Sequence, residues 1–170
     1  MHALHKILVK VDQKSRDREE MVETARQDAE DLTKGFYDRA FDWRETDTAG
    51  RWSEVYPENV LLSKDGLDEF IKEIDDVRKY QKDQIAMCLE RVSGVSTDLK
   101  ELVENNIDKV QNFGALFEVK LIAELLSGDY VFDSGFFDGN WYSAKVTDET
   151  IERIKEEPDD WALVMFDYHI

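Results

Sequence analysis

The residues with the most chemistry to offer are carboxylates. Thirty-nine Asp and Glu stand against 22 Lys and Arg, and the excess is greatest in residues 129–170, where 11 acids and 3 bases leave a local charge of −8. Asp129, Asp133 and Asp138 open this region. A short helical stretch follows with Asp148, Glu149, Glu152, Glu156 and Glu157, and Asp159 and Asp160 close it. Such runs ordinarily serve as solvated charge that keeps a chain soluble. Pinned to a rigid scaffold, the same groups would imitate a row of phosphates and fit a basic channel built for nucleic acid.

A second candidate set lies in the stretch FDWRETDTAGRW, where Trp43, Arg44, Arg51 and Trp52 are interleaved with acids. Tryptophan and arginine are the usual anchors of interfaces, so this loop is a candidate partner-binding element. The alternative is that the tryptophans staple a long loop while the arginines pair with local acids. His2, His5 and His169 sit at the chain ends. Pairing of the first and last strands would bring His5 and His169 near Asp167, a set able to bind a metal. Strand-end residues near solvent are the plainer reading, and no metal is assigned. Cys88, the only cysteine, falls on an apolar helical stripe and reads as a small core residue with an inert thiol. A single cysteine allows no intramolecular disulfide, which suits a reducing, cytoplasmic setting. Nucleophile elbow, H-E-x-x-H pair and glycine-rich phosphate loops are all missing, so no catalytic residue and no cofactor is assigned.

The stretch from Gly114 to Lys145, GALFEVKLIAELLSGDYVFDSGFFDGNWYSAK, resembles the opening of PD-(D/E)xK nuclease domains. The resemblance implies that Glu118 is the helix glutamate, Asp138 the metal-binding aspartate and Lys145 the lysine of the triad. Ser143 stands where the second carboxylate belongs. Two carboxylates and a lysine are needed to hold Mg²⁺ and activate water. The charge of the chain also opposes any enzyme that must draw DNA towards itself.

The elements that position these groups follow from periodicity. Leu4 to Val11 alternates as a strand, and Ser15 is placed to cap a helix with Met21, Ala25 and Ala29 on its buried stripe. Residues 37–62 are irregular. Two long helices follow, about 65–92 and 97–125, with Cys88 on the first seam and Ile107, Val110 and Gly114 on the second. Tyr130 to Phe137 and Asn140 to Val146 read as a hairpin about Asp138–Gly139. A capped helix from Thr147 or Asp148 leads to a last strand, Trp161 to Tyr168. The expected fold class is α+β: an antiparallel four-stranded sheet in ferredoxin-like β-α-β-β-α-β order, with helices on one face. A helical hairpin, 64–127, would be inserted in a single domain, 1–170.

A net charge of −17 disfavours direct binding to nucleic acid or anionic membrane, and no apolar run reaches the length of a membrane span. The expected partner is therefore a basic protein. In size, charge and lack of catalytic motifs the chain is similar to small acidic inhibitors of restriction or CRISPR systems carried by phages and mobile elements. The leading expectation is a non-enzymatic interaction protein that binds and inhibits a basic nucleic-acid-handling partner. Its rival is a metal-dependent nuclease-like domain on Glu118, Asp138 and Lys145. A third reading is a self-associating domain with the helical hairpin as its dimer surface.

Overall fold

The computed structural model describes residues 1–11, 17–36, 42–105, 115–129, 131 and 134–169. Among these, strands β1 (His2–Lys10), β2 (Trp43–Glu45), β3 (Val60–Leu62), β4 (Phe136–Asp138) and β5 (Trp161–His169) form one sheet. The α-helices are α1 (Arg18–Thr33), α2 (Leu67–Ser93), α3 (Leu99–Glu104), α4 (Ala115–Ser127) and α5 (Asp148–Glu156).

The sheet is built around β5, whose residues Trp161 to Tyr168 are all buried. β1 runs antiparallel beside it over nine residues, from His2 opposite His169 to Lys10 opposite Trp161. The other edge of β5 is shared by two short strands, with β3 facing Ala162–Val164 and β2 facing Asp167–His169. Asn59 closes the gap between them. Its carbonyl accepts from Met165 N at 2.8 Å, and its side-chain amide donates to Thr46 O at 2.7 Å. β4 lies parallel to the far side of β1, placing Asp138 opposite Leu8.

Both faces of the sheet are covered. Ile7, Val9, Val164 and Phe166 pack with Met21, Ala25 and Ala29 of α1. Leu8, Trp161 and Leu163 pack on the opposite face with Phe70 and Ile74 of α2 and Ile154 of α5. A strand enclosed in this way carries an unbroken apolar run, because neither set of alternating side chains meets water. The sequence WALVMF is that run.

The sheet is therefore mixed and five-stranded, which corrects the expected antiparallel four-stranded ferredoxin-like arrangement. β4 joins in parallel, helices cover both faces, and β2 and β3 come from the segment taken as irregular. Asn140 to Val146 makes only an isolated Asp138–Ser143 bridge in place of a strand. The backbone of that segment is claimed by a side chain of α2. Gln81, buried, donates to Ser134 O at 3.0 Å and Ala144 O at 2.7 Å, and accepts from Val146 N at 3.1 Å.

At its far end α2 packs against α4 through Cys88, Leu121 and Leu125. Leu89, next to Cys88 in the chain, is 51% exposed. The seam positions Ile107, Val110 and Gly114 lie outside the described residues, as does Ser15. Asp17 caps α1, its carboxylate accepting from Glu20 N at 2.9 Å. No helix among the described residues is long and apolar enough to cross a membrane.

Candidate functional site

Helix α5 is held at its start by a capping box, in which Thr147 and Thr150 each bond the other's backbone N–H. Ile151 and Ile154 are buried against the sheet, so the helix has one fixed orientation. Asp148, Glu149, Glu152 and Glu156 are consequently exposed. The series 148, 152, 156 oversteps each full turn by only about 0.4 residue, giving a row of carboxylates about 6 Å apart along the axis. Lys155 is the one cation among the exposed residues of α5.

The other cation of α5, Arg153, turns inward. Its guanidinium pairs with the carboxylate of Asp138, which is 1% exposed, and lies between two indoles. The ring centroid of Trp141 is 4.1 Å away and that of Trp161 is 4.7 Å away. The second oxygen of Asp138 accepts from Asn140 N at 2.9 Å and Trp141 N at 3.2 Å, which shapes the turn that follows β4. Gly139 donates to Leu8 O at 2.9 Å, and a Cβ there would run into Leu32. Both oxygens of Asp138 are thus committed. Asp138 is a buried counter-ion, and this corrects its expected place in an exposed array.

The remaining acids divide. Asp148 pairs with Arg78 of α2, which also holds Asp75 at 2.8 Å, and Glu157 holds Lys10 at 2.6 Å. Asp129 accepts from the Ser127 hydroxyl at 2.7 Å, and Asp133 lies outside the described residues. Glu149, Glu152, Glu156, Asp159 and Asp160 make no side-chain ion pair or hydrogen bond among the described residues. They form the uncompensated part of the surface.

The residues matched to the nuclease triad are occupied separately. Glu118 pairs with Arg91 of α2 at 2.8 Å, and hydrogen bonds from Cys88 and then Arg91 hold its carboxyl below the usual range. Lys145 donates to Leu126 O at 3.2 Å, at the end of α4. No group of three or more His, Cys, Asp and Glu able to hold a metal occurs among the described residues.

The loop set is likewise divided. Arg44 faces α1, donating to the Thr33 hydroxyl and to Glu30 O, with its guanidinium 5.6 Å from the Phe166 ring. Trp43 is 47% exposed at the sheet edge, whereas Trp52 is half-buried in the turn Gly50–Trp52. The side chain of Arg51 is exposed and its N–H donates to the buried Asp167 at 3.1 Å. The other oxygen of Asp167 meets His2 Nδ1 at 2.9 Å. Gly50, at φ +54°, fits against this carboxylate, where a Cβ would collide with it. His169 pairs with Asp42 at 2.9 Å and its ring meets that of His2 edge-on at 4.8 Å, whereas His5 stacks on Tyr168 at 4.4 Å.

Arg153 and Gln81 were not singled out from the sequence, although both control the site. Gln81 leaves a signal: it stands four residues after Val77 and seven before Cys88, a core position filled by an amide. The chain matches no protein-family model, no curated protein and no solved structure.

Proposed function

We propose that the protein is a non-enzymatic interaction protein that docks its acidic surface on a basic, nucleic-acid-handling partner and occupies the site where phosphates would sit. One observation carries this reading. Arg153, the cation best placed to neutralise α5, is withdrawn beneath the helix to Asp138, leaving Glu149, Glu152 and Glu156 outward and unpaired among the described residues. Like charges spaced i, i+4 destabilise a helix by about 0.2–0.5 kcal/mol per pair. One such pair of uncompensated carboxylates, 152/156, stands on this short helix, whose packing holds it in place, while Asp148 is offset by Arg78. Charge fixed in this manner attracts clustered Lys and Arg, speeds encounter with them and repels free nucleic acid.

The test is affinity capture from lysate at low salt, with the protein recovered then challenged by duplex DNA. The expected result is a basic partner that elutes as salt rises and that DNA and this chain bind in competition. The variant Glu149→Gln/Glu152→Gln/Glu156→Gln should compete about tenfold less well, the order expected from removing several interfacial charges. Simultaneous binding of DNA and this chain, or an undiminished variant, would contradict the proposal.

A further inference from the structure

The turn after β4 presents two aromatic side chains to solvent, with Trp141 47% and Tyr142 72% exposed. Tyr142 is held at φ +51°, the one positive value at a non-glycine position among the described residues. Left-handed backbone at a bulky residue is unfavourable and persists only where the surroundings impose it. Here they do: Asp138 fixes the turn from within, Arg153 supports one face of Trp141, and the Tyr142 ring meets Phe137 edge-on at 5.9 Å. Two aromatics on a rigid turn bind at little entropic cost, the usual character of an interface hot spot.

Charge on both sides says what covers them. A cleft of about 410 Å³ separates Asn140 and Tyr142 from Asp31 of α1, with Leu32 in its wall and Asp28, itself engaged in another contact, along its edge. Lys10 also lines this cleft, but its ammonium is held by Glu157 and lies 5.7 Å from the Trp161 ring centroid. On the other side Arg153, under Trp141, has Glu149 and Glu156 as helical neighbours. We infer that this aromatic turn, flanked by α1 and α5, is the anchor point for a basic segment of the partner protein, seated by an arginine side chain. A guanidinium stacks on aromatic faces and bonds carboxylates in pairs, whereas an ammonium does only the second well. The inference rests on the acidic-docking reading and adds selectivity for arginine over lysine.

Fluorescence anisotropy of labelled oligo-arginine and oligo-lysine peptides of equal length, titrated with the full chain at two salt concentrations, tests it. Wild type should prefer the arginine peptide by roughly tenfold. Trp141→Ala/Tyr142→Gly should lose that preference, and Tyr142→Gly alone, which relieves the backbone, should lose part of it. Glu149→Gln/Glu152→Gln/Glu156→Gln should weaken both peptides and keep the preference. Equal binding of the two peptides by wild type, or an unchanged preference in the aromatic variants, overturns the anchor while leaving acidic docking standing. Salt-independent binding, or none, overturns both.

Discussion

At the scale of the residue, the arrangement turns on a carboxylate that never reaches solvent. A buried ion pair is a poor source of net stability, but breaking it leaves an uncompensated charge inside the protein. Asp138→Asn is therefore expected to destabilise by about 3–5 kcal/mol in chemical denaturation. Mg²⁺ is expected to leave the melting temperature of the wild type unchanged, and a metal-dependent rise would contradict the structural role given to Asp138. Gln81→Leu should cost about 2–4 kcal/mol, since Ser134 O, Ala144 O and Val146 N would lose their partner together. The sequence made Asp138 visible as an acid beside a glycine. It hid Arg153 as the partner, because that contact spans 15 residues and follows from the placement of α5 and not from any local pattern.

Elements were legible in proportion to their length. The β1, α1, α2 and β5 periodicities are long enough to read, whereas the antiparallel pairing of the first and last strands was expected from the ferredoxin-like order and is present although that order is not. Three-residue strands have no period, so β2 and β3 were hidden within residues 37–62 and the edge they form on β5 went unseen. The apolar run of β5 did signal a strand covered on both faces, a cue that the hairpin assignment for 130–146 obscured. Between elements, Lys6 of β1 meets Glu73 of α2 at 2.5 Å, and the Tyr56 hydroxyl donates to the same carboxylate at 2.9 Å. Burial raises Glu73, but the bonds from Lys6 and Tyr56 outweigh it and leave the carboxyl below its usual 4.5. A depressed carboxylate contributes stability that is present above its unfolded pKa and lost as pH falls through the folded one. Unfolding should therefore set in below about pH 4.5, less steeply in Glu73→Gln, as followed by circular dichroism. The opposite holds for Tyr56, raised by burial and then by Glu73, whose contribution is lost as pH climbs past 10.

Over the whole molecule, charge decides behaviour. A net charge of −17 on one small chain repels itself, and salt screens that repulsion over about 10 Å at 0.1 M. Salt should then act in opposite directions on two observables, raising the melting temperature while weakening attachment to the partner. Composition alone carries the expectation of a basic partner. The proposed docking takes its direction from α5, where the withdrawal of Arg153 leaves Lys155 as the one exposed cation beside Asp148, Glu149, Glu152 and Glu156. The most direct test is the dissociation constant for the captured partner as a function of salt, measured for wild type and for Glu149→Gln/Glu152→Gln/Glu156→Gln. The account predicts a steep loss of affinity with salt for wild type and a clearly shallower one for the variant. Identical slopes, or affinity indifferent to salt, would show that the charges on α5 are not what the partner binds.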